Sequence, residues 1–245
     1  MKDVPYLEPG MALFLDFDGT LVEFAPRPDA VEIAPGLQVL LEKLCEHLDG
    51  ALAIVTGRPI SQIDGFLAPL LLPAAGLHGL EMRFEAQKPT SLREPDSDIM
   101  QLKARLQASR LLQEGAFFED KGPAAALHYR DAPNLRDAVI EEMKTAIADL
   151  PSLHLITGKM VVEAKPNTSD KGEAVQAFLK QPQFAGCRPV FIGDDVTDED
   201  GMAAAQDCGG FGVKVGQGGT SALHRLADVT AVQEWLKMQV LRLEN

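Results

Sequence analysis

The sequence predicts an α/β fold in which a parallel β-sheet core is interrupted by a smaller inserted α/β domain. Short, continuously apolar segments alternate with helical segments towards both ends of the chain, which is typical of parallel strands buried on both faces. The middle of the chain instead reads helix, hairpin, helix, hairpin, which favours antiparallel strands. With 245 residues, 46% of them hydrophobic, the chain is long enough to form both units.

The first part of the core is predicted as three strands joined by two helices. The segments MALFLDF at 11–17 and ALAIVTG at 51–57 are continuous apolar strands, and PAAGLHG at 73–79 is a shorter third strand. Between the first two strands, leucines recur at helical spacing over 35–48. Pro59 suits the first turn of the second helix. These elements predict the beginning of a Rossmann-like sheet.

The inserted domain is expected at 84–165, between core segments 1–83 and 166–245. A short strand, MRFEA, precedes its first helix. Its two helices and two hairpins are expected at 97–115, 134–150, 116–130 and 153–165, the second hairpin turning at Gly158 and Lys159.

The alternation of helix and apolar strand returns after residue 166. A helix begins with SDKGEA, with Ser169 as its expected N-cap. Two buried strands follow, RPVFIGDD at 188–195 and GFGVKVG at 210–216, and two helices are expected to close the chain. Both ends of the chain therefore contribute to one core.

Composition argues against several classes of partner. The net charge of −13 disfavours binding to nucleic acid or to anionic membranes, although a few local cations can still hold a small anionic substrate. No apolar stretch is long enough to span a bilayer, and the N-terminus lacks the form of a secretory signal. The three cysteines are far apart in the sequence, which predicts reduced thiols in a cytoplasmic protein.

Polar groups are predicted at the ends of three core strands. Because parallel strands present their carboxyl ends at one edge of the sheet, where ligands bind, these groups should lie together. Several carboxylates in one place are costly unless paired, and Mg²⁺ with carboxylates, waters and a phosphate is a natural solution. The groups are Asp16 and Asp18, Thr56-Gly57-Arg58, and Asp194 and Asp195.

Each of these features also has a plainer structural explanation. The first acidic pair could form a solvated Asp-Gly turn, Thr56 could simply end a strand, and Arg58 could lie at the surface. Lys171, at the start of a helix, could be solvated, and His78 could be a packed imidazole. Beside a carboxylate cluster, however, Thr56 can donate a hydrogen bond to a phosphoryl oxygen. Lys171 and the helix N–H groups can hold the same phosphate.

The motifs, taken together, resemble a known superfamily. In this order, DFDGT, TGR, a later KG and GDDVTDE resemble the four motifs of the haloacid dehalogenase-type phosphatases. The segments GLHGLEMR, DKGPAAALHYR, GKMVVEAKP and SDKGEAV resemble, more narrowly, the bacterial trehalose-6-phosphate phosphatases. This resemblance runs from about Leu13 to Ala227. It implies an enzyme that hydrolyses trehalose 6-phosphate with Mg²⁺, through an aspartyl-phosphate, under an inserted cap domain.

The resemblance also implies roles for individual residues. Asp16 is expected to be the nucleophile and Asp18 the general acid and base. Mg²⁺ is expected to bind Asp16, the backbone carbonyl of Asp18 and Asp194, supported by Asp195 and Asp198. The residues expected to hold the phosphate are Thr56, Gly57, Arg58 and Lys171. The residues expected to bind the sugar are His78, Lys121, His128, Arg130, Glu163 and Lys165.

One pair of sugar-binding candidates can be tested against strand geometry. Glu163 and Lys165 alternate with Val162 and Ala164 on an expected strand, so the two polar side chains should share one face and the two apolar side chains the other. A face with one acceptor and one donor suits sugar hydroxyls, but an ordinary solvated strand face has the same pattern.

Other functions are compatible with these motifs. A phosphatase of another sugar phosphate has the same core, and a phosphomutase has the same nucleophile but transfers the phosphoryl group back to a sugar. A non-catalytic sensor of phosphosugars belongs to a different class. The Asp16 and Asp18 pair argues against a sensor, because binding alone needs no general acid. The sequence predicts no oligomeric state.

Overall fold

The structure is a computed structural model that describes residues 4–24, 30–158, 160–167 and 170–244. It divides into two compact units, one formed by Met1–Ser91 with Asp170–Asn245 and the other by Leu92–Ser169. The sequence placed these divisions after residues 83 and 165. No helix in the described ranges has the length and apolar character needed to cross a membrane.

The described residues form twelve strands and seven α-helices. In chain order, the strands are β1 (Met11–Leu15), β2 (Leu52–Val55), β3 (Ala74–Gly76), β4 (Glu81–Arg83), β5 (Ser91–Leu92), β6 (Phe117–Asp120), β7 (Ala125–His128), β8 (Leu153–Gly158), β9 (Val161–Pro166), β10 (Arg188–Gly193), β11 (Phe211–Val215) and β12 (His224–Leu226). The α-helices are α1 (Leu37–His47), α2 (Ile60–Leu67), α3 (Ser97–Gln107), α4 (Arg136–Ile147), α5 (Lys171–Leu179), α6 (Asp198–Asp207) and α7 (Val229–Leu243).

The first unit is built on a sheet with the strand order β12-β11-β10-β1-β2-β3-β4-β5. The strands from β12 to β3 pair in parallel, and β4 pairs antiparallel to β3. Every residue of β1 and of β2 is buried, which explains their continuous apolar sequences. Rings of Phe14, Phe178 and Phe184 pack together beneath the sheet, with centroids 5.0–5.8 Å apart. The predicted parallel-sheet core is confirmed.

The second unit is an antiparallel sheet with the strand order β6-β7-β9-β8. One face of this sheet packs with α3 and α4 around an apolar core. Val162 and Ala164 belong to that core and are fully buried, so Glu163 and Lys165 lie on the other face by alternation. The predicted order of helix, hairpin, helix, hairpin is confirmed, as is the predicted common face of Glu163 and Lys165.

Several predicted elements differ in detail. The helix expected over 97–115 is two elements, because α3 ends at Gln107 and Ser109 accepts a hydrogen bond from the Leu111 amide to start a separate 3₁₀ turn. Helix α6 was not predicted, and one of the two expected terminal helices is strand β12. Lys159 and the expected N-cap Ser169 lie outside the described residues. The N-cap of α5 is Asp170, which accepts from the Glu173 amide at 2.8 Å.

Candidate active site

The polar ends of three neighbouring strands lie at one edge of the first unit's sheet. Strand β1 lies between β10 and β2, and all three run parallel. Asp16, Thr56 and Asp194 directly follow β1, β2 and β10, respectively. The Asp16 amide continues the ladder by donating to the Ile192 carbonyl at 3.0 Å. The backbone at the base of this site is therefore held by the sheet itself.

A buried lysine joins two carboxylates at the centre of the site. The Lys171 ammonium donates to Asp16 Oδ1 and to Asp198 Oδ1, each at 2.6 Å. Relative exposures are 4% for Asp16, 3% for Lys171 and 0% for Asp198. Because removing one partner from a buried ion pair leaves an uncompensated charge, each member depends strongly on the others.

Asp198 organises the end of β10 rather than facing solvent. Its second oxygen, Oδ2, accepts from the backbone amides of Asp194 and Asp195 at 3.0 and 2.9 Å. Both oxygens of Asp198 are thus occupied, one by Lys171 and one by the two amides. The side chain of Asp195 is exposed. Asp198 therefore sets the direction in which Asp194 leaves the strand.

The donor set at this edge fits a hard divalent cation. Among the described residues, Asp16, Asp194 and Asp198 each place one carboxylate oxygen within 4.8 Å of the other two. Asp194 Oδ1 is buried and has no hydrogen-bond partner in that part of the chain. A buried carboxylate oxygen without a donor is costly unless a cation binds it. Asp16 and Asp194 would hold the metal, since Asp198 is already engaged.

Glycine makes room for this arrangement at position 19. Gly19 has φ of 80°, a left-handed conformation that favours glycine. A Cβ there would overlap the carboxylate of Asp194 and the ring of Phe24. The Gly in DFDGT is therefore required both by the backbone and by the approach of Asp194.

Burial and like charges perturb the protonation of the site. Burial raises the pKa of the Asp16 carboxyl, the charges of Asp198 and Asp194 add to this rise, and Lys171 opposes it. Burial also raises the pKa of Asp194 to about 6, again with a contribution from Asp198. Burial alone would lower the pKa of Lys171, but Asp16 and Asp198 more than offset this and raise it. Lys171 is therefore held as a cation.

Asp18 is held by an arginine from the next strand end. Its Oδ2 accepts from Arg58 Nε and its Oδ1 from Arg58 Nη2, both at 2.6 Å. Arg58 Nη1 donates to Gln62 at 3.1 Å, and the guanidinium lies 5.2 Å from the centre of the Phe66 ring. Between the two aspartates, Phe17 is fully buried and its ring stacks on Phe66. Strand alternation thus directs the Phe17 ring into the core, on the face opposite to the one that the two aspartates share.

Thr56 and its neighbours form the third strand end. Thr56 is 1% exposed, and its Oγ1 accepts from the Arg58 amide at 3.2 Å. In this bond Thr56 is the acceptor. Its hydroxyl hydrogen has no acceptor among the described residues, so it can be donated to a ligand. The imidazole of His78 lies directly against Gly57. A Cβ on Gly57 would be only 2.8 Å from His78 Nε2.

The second unit gathers charged side chains on the exposed face of its sheet. Lys121 Nζ lies 2.5 Å from Glu163 Oε2 and 3.8 Å from Glu119 Oε2, and His128 Nε2 lies 2.8 Å from Glu119 Oε2. Phe117 is 63% exposed, and its ring centroid lies 5.9 Å from that of His128. This face therefore combines donors, acceptors and an aromatic surface.

The comparison with known proteins decides the family. The model of the family described as trehalose-phosphatase matches residues 14–229. The chain belongs to the trehalose-phosphatase family. It is accordingly a hydrolase that acts on a phosphoric monoester, and the cluster of Asp16, Asp194 and Asp198 is its candidate site for a divalent cation. The resemblance inferred from the motifs is confirmed.

Individual relatives agree with membership of the trehalose-phosphatase family. The chain is 39% identical over 245 residues to a trehalose-6-phosphate phosphatase of Escherichia coli (strain K12). The aligned region covers 100% of the chain and 92% of the E. coli protein. It is 44% identical over 206 residues to a probable trehalose-phosphate phosphatase of Sinorhizobium fredii, covering 84% of the chain and 77% of that protein. The C-terminal domain of the C. albicans trehalose-6-phosphate phosphatase has the same fold, with a TM-score of 0.75, 22% identity and coverage of 95% and 92%.

Two residues of this trehalose-phosphatase family member were not singled out from the sequence. Glu119 contacts both Lys121 and His128, and Gln62 contacts Arg58. The signal that could have identified Glu119 is its i, i+2 spacing from Lys121, which directly follows β6. Of the other predicted sugar-binding residues of the second unit, Lys165 shares the sheet face of Glu163 but is buried, and Arg130 is exposed beyond the end of β7.

Proposed function

We propose that the chain hydrolyses trehalose 6-phosphate to trehalose and inorganic phosphate, with Mg²⁺ as its cofactor and Asp16 as its nucleophile. The observation that supports this most directly is the buried Asp16–Lys171–Asp198 arrangement at the carboxyl ends of the parallel strands, in a member of the trehalose-phosphatase family. The cytoplasmic location expected from the sequence stays a prediction.

The substrate's phosphate is proposed to bind between Thr56 and Lys171. Thr56 donates its hydroxyl hydrogen and Lys171 supplies a positive charge beside Asp16. Mg²⁺ held by Asp16 and Asp194, and by the backbone carbonyl of Asp18, would neutralise phosphate charge during attack by an anionic nucleophile. Arg58 and the backbone of Gly57 border the same phosphate.

In the first step, an Asp16 carboxylate oxygen attacks phosphorus and the bond from phosphorus to the sugar oxygen breaks. Asp18 gives its proton to that sugar oxygen, so trehalose leaves as a neutral alcohol. The product on the protein is an aspartyl-phosphate at Asp16. Asp18 is then an anion, ready to act as a base.

In the second step, Asp18 takes a proton from a water molecule, and the water oxygen attacks phosphorus. The bond between phosphorus and the Asp16 oxygen breaks, which releases inorganic phosphate and restores the Asp16 carboxylate. The proton that Asp18 has taken up restores the acid for the next cycle.

The second unit, Leu92–Ser169, is proposed to act as the cap that recognises the sugar. The residues proposed to contact hydroxyls are Lys121, His128, Glu163 and Glu119 on its exposed sheet face, with Arg130 and Lys165. Sugar hydroxyls both donate and accept, and this face offers ammonium, imidazole and carboxylate groups within hydrogen-bonding distance of one another.

The test is phosphate release measured across a panel of sugar phosphates and one aryl phosphate at saturating Mg²⁺. Trehalose 6-phosphate is expected to have the highest kcat/KM, with trehalose and phosphate released in equal amounts. A higher kcat/KM for another sugar phosphate would replace the proposed substrate. An isomeric sugar phosphate as the product would identify a phosphomutase, and binding without turnover a sensor.

A further inference from the structure

The turn after β3 has an unusual backbone. Three successive residues are left-handed, with φ of 49° at Leu77, 57° at His78 and 95° at Gly79. This conformation is unfavourable for residues that carry a Cβ, and most of all when two of them are adjacent. Strain of this kind persists only where the surrounding contacts determine it.

The first set of contacts ties this turn to the strand end that carries Thr56. The Leu77 amide donates to the Arg58 carbonyl at 3.1 Å, and the His78 amide donates to the Thr56 carbonyl at 3.0 Å. The left-handed backbone thus directs two successive amides at the same short segment. Those two hydrogen bonds fix the Thr56-Gly57-Arg58 backbone relative to the turn.

The second contact is between the imidazole of His78 and Gly57. A Cβ at Gly57 would lie 2.8 Å from His78 Nε2 and 2.9 Å from Cε1. Gly57 does not have a positive φ, so its backbone accepts any residue. The absence of a side chain at Gly57 therefore serves the close approach of the imidazole.

The third contact is with the helix that carries Lys171. A Cβ at Gly79 would lie 3.2 Å from the carbonyl oxygen of Asp170 and 3.5 Å from Cβ of Ala174. Asp170 is the N-cap of α5, and Lys171 is the first residue of that helix. The turn consequently contacts both of the elements that are proposed to bind phosphate.

We infer that the Leu77–Gly79 turn is a positioning element that sets the distance between Thr56 and Lys171, and that His78 acts on the reaction through Gly57. This inference rests on the proposed function, because it takes Thr56 and Lys171 as the groups that hold the phosphate. It assigns His78 a role in placing the phosphate site instead of contacting the sugar.

The test compares wild type, Gly57→Ala, His78→Ala and the double variant, with trehalose 6-phosphate and with 4-nitrophenyl phosphate. Gly57→Ala is expected to lower kcat/KM about tenfold or more with both substrates, because the methyl group displaces the imidazole and Thr56 together. His78→Ala is expected to lower kcat with both substrates by similar factors. In the double variant the methyl group has room, so kcat/KM should equal that of His78→Ala alone.

Two further measurements separate positioning from a general loss of folding. The inhibition constant of orthovanadate, which mimics the reacting phosphoryl group, should rise in parallel with the loss of kcat/KM while the melting temperature stays close to wild type. His78→Asn, which tolerates a left-handed backbone but lacks the ring, should show the same loss as His78→Ala even if the alanine variant folds poorly.

Two results would overturn the inference. A loss confined to trehalose 6-phosphate in the His78 variants would make the imidazole a sugar contact. If Gly57→Ala lowers kcat/KM by the same factor in the wild type and in the His78→Ala variant, the contact between His78 and Gly57 does not position the Thr56-Gly57-Arg58 segment. Failure of the wild type on trehalose 6-phosphate alone would instead refute the proposed substrate, and the comparison with 4-nitrophenyl phosphate would still decide the role of the turn.

Discussion

Both carboxylate oxygens of Asp18 accept a hydrogen bond from the guanidinium of Arg58, each at 2.6 Å. Bidentate pairing of this kind fixes the orientation of a carboxylate. A carboxyl group that is to donate a proton must free at least one of these oxygens. The proposed general acid is therefore held in a fixed orientation, and it can donate a proton only when its contact with Arg58 loosens.

Replacement of Arg58 should affect the leaving group more than phosphate binding. In Arg58→Ala the Asp18 carboxylate loses its orientation, so kcat for trehalose 6-phosphate is expected to fall at least about tenfold. Arg58→Lys should recover little, because an ammonium cannot pair bidentately. Gln62→Ala, which removes only the outer contact of Arg58, is the matched control and should stay near wild type. Equal activity of Arg58→Ala and wild type would remove Arg58 from this role.

Loss of the Asp18 carboxyl should separate the two chemical steps. Asp18→Asn cannot protonate a sugar oxygen, so trehalose 6-phosphate should give no burst of product. The leaving group of 4-nitrophenyl phosphate needs no proton, so the same variant should release about one equivalent of 4-nitrophenol and then stall as the aspartyl-phosphate. Rapid-quench kinetics measure both. Steady turnover of either substrate would contradict the assignment of Asp18 as acid and base.

Asp16→Asn should abolish turnover and leave the fold intact. The amide is nearly isosteric, but it is a poor nucleophile and a poor ligand for a cation, so kcat is expected to fall at least about a thousandfold. Circular dichroism and the melting temperature monitor folding. Substantial turnover in a folded, Mg²⁺-saturated variant would assign the nucleophile elsewhere.

Mg²⁺ affinity should weaken on acidification. Burial raises the pKa of Asp194 to about 6, so protons compete with the cation as the pH falls through that value, while above it the carboxylate is already free to bind. The apparent Kd for Mg²⁺ from calorimetry is expected to rise about tenfold from pH 7.5 to pH 5. Chelation by EDTA should abolish turnover, and added Mg²⁺ should restore it.

The control for that measurement is Asp194→Asn, which removes the titrating ligand. This variant should bind Mg²⁺ more weakly at every pH and show a flatter dependence on pH. A Kd that is constant from pH 7.5 to pH 5 in the wild type would exclude competition by protons at this site.

Changes on the exposed face of the second unit should be selective for the sugar. Glu163→Ala removes an acceptor and leaves Lys121 with only its longer contact to Glu119, so kcat/KM for trehalose 6-phosphate should fall at least about tenfold, or roughly 1.4 kcal/mol. Lys165→Ala should also be selective. The kcat/KM for 4-nitrophenyl phosphate should hardly change, since that substrate needs no contact with the sugar-binding face.

Asp120→Asn is a matched control for the Glu163 experiment. Asp120 lies on β6 but on the opposite face, where it pairs with Lys103 at 2.5 Å. Its replacement should leave the ratio of kcat/KM for trehalose 6-phosphate to kcat/KM for 4-nitrophenyl phosphate unchanged. If Glu163→Ala lowers kcat/KM equally for both substrates, the change has damaged folding or chemistry. If kcat/KM falls for neither substrate, Glu163 belongs to an ordinary solvated strand face and does not bind the sugar.

Local sequence was sufficient for elements with strong apolar periodicity and insufficient for others. The strands β1 and β2 are uniformly buried and were readily predicted. Helix α6 begins with three acidic residues and continues with alanines, so it lacks the leucine spacing that marked α1. The helix expected over 97–115 breaks near Ser109, where a side-chain hydrogen bond competes with the helical backbone.

The family, the division into a parallel-sheet core and an inserted unit, and the strand ends that carry Asp16, Thr56 and Asp194 could all be read from the sequence, because they follow from apolar patterns and contiguous motifs. The pairing of side chains became visible only in the folded chain. Lys171 reaches Asp16 across 155 positions of sequence, Arg58 reaches Asp18 across 40, and His78 rests on Gly57. Such contacts depend on distances between packed elements and on rotamers, and neither is encoded in the spacing of residues along the chain.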